Sequence, residues 1–210
     1  MSGLFAAEAE HVTRRRGSFH IMVTREGIDP AVPADVIVLT RGDVQGEQVL
    51  CRVASACVTS TALGSAECDC DLQIDAALER IDKADRGILI YLTHQEGRGH
   101  GLRLKVRALA NKNAGMDTFA AVEALGEPAD VRSYNAVRPI LSELGVISVI
   151  LLTNSPAKFE AVAGDGTTVD RTEPLAVTPH SHAKRSMRAK QARGHVTRGT
   201  YANELSLPYP

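Results

Sequence analysis

Between Ser18 and Val58 the chain runs in short apolar stretches, FHIMVT, DVIVLT and QVLCRVA, separated by aspartate, glycine and proline. Runs of this length bounded by turn formers predict three strands, and the first third reads as an antiparallel β unit. In the third run Val49, Cys51 and Val53 share one face, with Leu50, Arg52 and Ala54 on the other. Cys51 is therefore expected to be a packed core thiol. After residue 71 the period lengthens. Ile74, Leu78 and Ile81 mark a helix over 72–83, and ILIYL (88–92) is the continuous apolar run of a strand buried on both faces. A second helix is expected from about Leu102, with Leu102, Val106 and Leu109 on one stripe. A third is expected from Val131 to Leu144, where Pro139 implies a kink or a late start and Gly145 a stop. VISVILL (146–152) reads as another buried strand, and Ser155-Pro156 as N-cap and first-turn proline of a helix through Val162. Strands and helices in alternation behind a β unit predict a mixed α/β fold. Residues 1–17 are polar and expected to be loosely ordered. The domain is expected to span 1–175, and the basic stretch 176–210 to be a mobile, solvated tail.

Composition narrows the function. The 210 residues are enough for one good-sized domain, 44% are hydrophobic, and the formal net charge is −1. That balance gives no support to non-specific binding of nucleic acid or of a membrane surface. No apolar run reaches membrane-spanning length, and the first residues lack the apolar segment of a secretory signal, so a cytoplasmic location is expected. In a reducing compartment, clustered cysteines point to metal or redox chemistry.

Three of the four cysteines form a C-x10-C-x-C array, Cys57, Cys68 and Cys70. Three thiolates can fill three corners of a tetrahedral zinc site, leaving a fourth for a protein ligand or for water. Three further groups follow predicted strands. Gln95-Glu96-Gly97-Arg98-Gly99 combines opposite charges with glycines that let backbone approach a ligand, and Glu96 suits a purine bearing ring and exocyclic N–H groups. Asp130 would N-cap the third helix, which puts Arg132 in a first turn where only an anion would justify a cation. Thr153-Asn154-Ser155-Pro156-Ala157-Lys158 is a strand end feeding a helix N-terminus, a phosphate-binding arrangement when its N–H groups are free.

In this order and spacing, RV-x-S-x-C…CDC (Arg52 to Cys70), Y-x(3)-QEGRG-x-GL (Tyr91 to Leu102), D-x-R (Asp130 to Arg132) and LLTN-x-P-x-K (Leu151 to Lys158) resemble GTP cyclohydrolase II, a zinc enzyme of riboflavin synthesis. The resemblance covers roughly residues 18–175. It implies that Cys57, Cys68 and Cys70 hold zinc and that the metal's open corner carries the water that attacks C8 of GTP. Ring opening with loss of formate and pyrophosphate would follow. Three thiolates outweigh the charge of the ion, so a nearby base is required. It further implies that Glu96 recognises guanine beside Gln95, Gly97 and Arg98, that Arg132 acts at the α-phosphate with Asp130 orienting it, and that Arg52, Thr153 and Lys158 hold phosphates carrying magnesium. A homodimer is the family's expected assembly.

The chain departs from the family pattern at several chemically loaded positions. Ala54 and Ala56 stand where the family has histidine and glutamate, Ser60-Thr61 replace a Gly-Asp pair, His94 replaces an arginine and Glu67 replaces another. Leu109 aligns with a tyrosine implicated in acid–base work. Leucine cannot move a proton, so a variant that stops at the N-formyl product is one alternative and a catalytically retired nucleotide-binding regulator another. Glu67 is expected to disfavour a triphosphate by adding a carboxylate near it.

Overall fold

A computed structural model describes residues 3–25, 35–164, 166–175, 177–178 and 180–194. Seven strands form one sheet in the order β1 (Phe5–Thr13), β2 (Gly17–Thr24), β3 (Val36–Arg41), β5 (Gly87–Leu92), β4 (Val49–Ser55), β6 (Ser148–Leu152) and β7 (Thr168–Glu173). Pairing from β1 through β5 is antiparallel, whereas β4 lies parallel to both β5 and β6, and β6 parallel to β7. The mixed α/β expectation holds, with one correction. β4 belongs to the parallel half, because its run pairs with strands that follow crossover helices.

The central strand β5 alternates between two apolar layers. Ile88, Ile90 and Leu92 pack with Val53, Val137, Ile140 and Leu141 on one face, while Leu89 and Tyr91 meet Ala77 and Ile81 on the other. Cys51 is fully buried in the first layer, as its phase predicts. Helix α1 (Val58–Thr61) is one turn, and α2 (Cys70–Ala84) begins two residues before the predicted start. Helix α3 (Gly101–Asn113) forms as expected but packs through Leu104 and Ala108 against α4 (Ala120–Glu123); Leu102 and Val106 are 46% and 54% exposed. A helix with small residues on one face offers two candidate stripes, and packing selects the alanine side.

Helix α5 (Val137–Glu143) starts six residues later than the expected Val131, with Pro139 in its first turn, where a missing N–H costs nothing. Asp130 is consequently not an N-cap and Arg132 not a first-turn residue; both lie in the preceding non-helical stretch. At the other end Gly145 sits at φ +68°, its N–H donating to Ser142 O and that of Val146 to Leu141 O. This pair of bonds closes the helix and requires the left-handed residue that glycine supplies. Helix α6 (Pro156–Val162) follows Ser155 as predicted.

Described residues towards both ends form elements that the sequence pattern does not predict. Residues 5–13 are ordered as an edge strand in register with β2, Glu10 opposite His20 and Thr13 opposite Gly17. Only Phe5 of that strand is buried, so the sequence shows no alternation to read. Residues 184–192 form helix α7 (Lys184–Ala192), preceded by a short turn, with Ala183 and Met187 buried. An i, i+4 pair of small and apolar side chains docks this helix, whose other face is charged; residues 195–210 of the expected tail lie outside the described residues. Among the described residues no helix is long and apolar enough to cross a membrane.

Candidate active site

The parallel strands β4, β5 and β6 end on the same edge of the sheet, with Ser55 level with Leu92. The segments that follow them, 56–69, 93–99 and 153–155, meet there, where ligands of parallel α/β sheets commonly bind. The stretch before α5 joins them: Val131 N–H donates to Arg98 O at 3.1 Å and Gln95 Nε2 to Ser133 O at 2.8 Å.

Cys57 and Cys68 bring their sulfurs to 3.6 Å, and the ligand atoms of Cys57, Cys68 and Cys70 all lie within 4.8 Å of one another. Cys51 is buried in the core and is not part of this cluster. Hydrogen bonds from the Cys68 and Cys70 thiols, and from the Lys105 ammonium, pull the Cys57 thiol well below the ordinary thiol range. Its two neighbours move the opposite way, since each would ionise beside an existing thiolate and burial adds to the penalty. Three thiols so close together cannot all ionise without a cation among them. The donor set therefore fits a divalent thiophilic ion.

Glu96 stands beside the cluster. Its Oε2 accepts the Val58 N–H at 2.6 Å, and Oε1 accepts the Gly97 N–H at 3.0 Å and the Lys105 ammonium at 2.6 Å. The same ammonium donates to Cys57 Sγ at 3.0 Å, so one lysine ties the carboxylate to the thiol cluster. Gly97 has φ +59°, and an added Cβ would lie 3.0 Å from Lys105 Cβ. Only glycine allows both the turn and that approach. Arg98 also adopts a left-handed backbone, at φ +60°. Its guanidinium is fixed over the Phe119 ring at 3.9 Å and bonded to Thr118 O and Oγ1, which holds a conformation that costs about 1–2 kcal/mol for a residue with a Cβ.

Asp130 and Arg132 form a two-point pair, Nε to Oδ1 at 2.9 Å and Nη2 to Oδ2 at 2.5 Å. Burial opposes both charges, yet the pairing prevails: the carboxyl is held below its usual range and the guanidinium above its own. Arg52 is buried, donating to Leu152 O and Gln73 Oε1 while its Nε has no partner among the described residues. Lys158 is buried too, its ammonium donating to Val53 O at 2.8 Å. Thr153 Oγ1 accepts the Ser155 N–H.

These groups line two adjoining cavities. The larger, about 200 Å³, contains the three cysteines together with Gln95, Glu96, Gly97 and Lys105. The smaller, about 110 Å³, is lined by Arg52, Arg98, Arg132, Lys158 and Lys190, by Thr153, and by no aspartate or glutamate. Ser55, Cys70, Arg98, Arg132 and Lys190 belong to both walls. Every proposed site residue except Asp130 lines one or the other, and Asp130 reaches the site through Arg132. The smaller compartment is lined by five basic side chains, two of them paired from outside its wall by Asp130 and Asp69, and it adjoins the compartment that holds the thiol cluster and Glu96.

The altered positions now have locations. Ala54 faces the smaller cavity, and Ala56 and Leu109 the larger. Glu67 also lines the larger cavity and is paired with Lys112 at 2.8 Å. It is absent from the wall of the cationic compartment, and Lys112 pairs with its charge. Neither Lys105 nor Lys190 is placed in the site by the sequence, although Lys190 with Gly194-His195 loosely resembles the family's ending. Lys105 carries no motif of its own, and its role exists only because α3 packs beside the loop 93–99. Lys190 falls in the basic stretch read as solvated, although its spacing from Met187 puts both near one helix face.

Residues 5–174 match the family model described as GTP cyclohydrolase II. The chain is 37% identical to a GTP cyclohydrolase-2 of Azotobacter vinelandii over 210 residues, covering 99% of both. It is 41% identical to that of Streptomyces coelicolor over 75% of this chain and 71% of the relative. It is also 43% identical to the riboflavin biosynthesis protein RibBA of Nocardia farcinica, of which it spans only 39%. Among solved structures, the two-domain 3,4-dihydroxy-2-butanone 4-phosphate synthase RibBX of A. baumannii is similar with 18% identity and a TM-score of 0.46, over 83% of this chain and 40% of that one. With the full-length match, the intact thiol cluster and the four motifs converging on one edge of the sheet, the chain belongs to the GTP cyclohydrolase II family of enzymes.

Proposed function

We propose that the protein hydrolytically opens the imidazole ring of a purine nucleotide, GTP being the nucleotide its family relatives are named for, with zinc held by Cys57, Cys68 and Cys70. The observation that carries this reading is the adjacency of the thiol cluster and Glu96 to a compartment with five cations and no carboxylate. A zinc ion held by these thiolates would supply an acidified water and a Lewis acid next to the purine. Glu96, held by two backbone N–H groups and Lys105, keeps one lone pair, on Oε2, for one of the two N–H donors on the Watson–Crick edge of guanine. Gln95 Oε1, buried and without a partner among the described residues, offers a second acceptor on the same wall. Arg52, Lys158 and Thr153 hold the phosphates, and magnesium arrives with them. Arg132 is held cationic by Asp130, which favours a role in clamping the transferring phosphoryl group over one as a nucleophile.

Incubating zinc-loaded protein with GTP should replace the guanine absorbance with that of a pyrimidine and release pyrophosphate. Absence of any spectral change with GTP, GDP or GMP would remove the reading. A second reading is favoured by Leu109, which fills with hydrocarbon the position where the family has a proton-transferring tyrosine. In that reading the formyl group stays on the product. Mass spectrometry separates the two: a retained formyl with no free formate selects the second, and stoichiometric formate selects the first.

A further inference from the structure

Helix α7 lies beyond the residues matched by the family model, yet it forms part of both cavity walls. It is fastened from three sides. Ser186 Oγ donates to Glu67 O at 3.2 Å in the cysteine segment, Arg185 Nη1 to Lys112 O at 3.3 Å on α3, and Arg193 Nη2 to Glu123 Oε1 at 2.9 Å on α4. Arg193 also lies 4.2 Å from the centre of the Phe119 ring that Arg98 stacks on. Buried Ala183 and Met187 fix the rotation of the helix, and that rotation delivers Lys190 to the junction of the two cavities.

Lys190 Nζ is 3.3 Å from Asp69 Oδ1, with Met187 Sδ its other neighbour at 3.8 Å. Asp69 is wholly buried between Cys68 and Cys70, and its second oxygen accepts Gln73 Nε2 at 2.6 Å. An ammonium has three donors. One long bond to Asp69 and one weak contact to sulfur leave donor capacity on a side chain that is 22% exposed and opens onto the cavities. Arg132, the cation most firmly fixed by a carboxylate, shares that junction.

We propose that Lys190 is a nucleotide-binding residue, donating to the phosphate that bridges the purine and cationic compartments, and that α7 is the wall which presents it. This rests on the nucleotide reading above and adds to it a residue beyond positions 5–174. A purely structural strap between α7 and Asp69 would stabilise the fold without distinguishing ligands that differ only in phosphate. A phosphate donor must distinguish them.

The test is calorimetric titration of the full-length, zinc-loaded protein with guanosine, GMP and GTP, for wild type, Lys190→Met, Lys190→Gln and Lys190→Arg. The proposal expects the Met and Gln variants to lose tenfold or more in affinity for GMP and GTP, to bind guanosine within twofold of wild type, and to be largely rescued by Arg. Wild-type GTP affinity in the Met and Gln variants, or an equal loss for guanosine and GTP, overturns it and leaves the nucleotide reading standing. Wild-type protein that binds none of the three ligands overturns both. Should Lys190→Met fail to fold, the Gln and Arg variants carry the same comparison.

Discussion

Replacing Lys158 by methionine should stabilise the free protein and weaken its hold on phosphate, two effects of opposite sign from one side chain. Lys158 is 6% exposed, and its ammonium has one hydrogen bond, to Val53 O. Burial holds its pKa well below the ordinary lysine value, with repulsion from Arg52 and Arg132 adding to the shift. Burying an ion costs several kcal/mol even after relaxation, and methionine of similar length removes that penalty. Against this, Val53 O loses its donor, a loss of about 1–3 kcal/mol. The balance is a gain of about 1–2 kcal/mol, or a rise in melting temperature of about 2–8 °C for a chain of this size. With a phosphate-bearing ligand bound, the lost charge pairing should cost about 2 kcal/mol or more, roughly 30-fold in Kd. Thermal unfolding with and without GTP reads both. The variant should melt above wild type when free and gain less when GTP is added. The pH dependence carries the same sign. Between the lowered folded pKa and the ordinary lysine value, the unfolded chain holds a proton that the folded one lacks, so wild-type stability rises with pH there. In the variant that rise should be missing. A ligand-free variant that melts below wild type and keeps the pH slope refutes the reasoning.

Three further substitutions probe the site. Gly97→Ala puts a Cβ at φ +59° and 3.0 Å from Lys105 Cβ; a left-handed alanine costs about 1–2 kcal/mol, so calorimetry should find a lower melting temperature and kinetics a raised KM, and an unchanged protein would mean the loop is not held as described. Cys68→Ser should abolish zinc binding measured by elemental analysis, whereas Cys51→Ala should keep one zinc per chain and lose about 1–2 kcal/mol in urea unfolding; the opposite pattern would reassign the ligands. Leu109→Tyr should raise formate release relative to ring opening if the formyl product is the natural end point, and an unaltered ratio counts against a role for that position.

Much of the site was legible because its chemistry is local in sequence. Two cysteines one residue apart at the start of a helix, a Glu-Gly-Arg turn after a buried strand and an Asp-x-Arg pair each carry their meaning within a few positions. Their roles shifted where the reading depended on an element boundary. Asp130 lost its place as an N-cap because Pro139 starts α5 later, and its carboxylate went to Arg132 instead. Glu67 reads in the sequence as an added bare carboxylate, whereas α3 packing pairs it with Lys112.

What the sequence determined by itself was the alternation that buries Cys51, the strand–helix order and the three-thiol cluster, since period and spacing are properties of neighbouring residues. Tertiary structure alone decided that β4 joins the parallel half, that Lys105 ties Glu96 to Cys57, and that α7 carries Lys190 to the junction of two cavities. The physical reason is the same in each case. These are contacts between segments 9 to 121 residues apart, and a charge on a helix face becomes a site residue only when packing removes it from water and gives it something to hold.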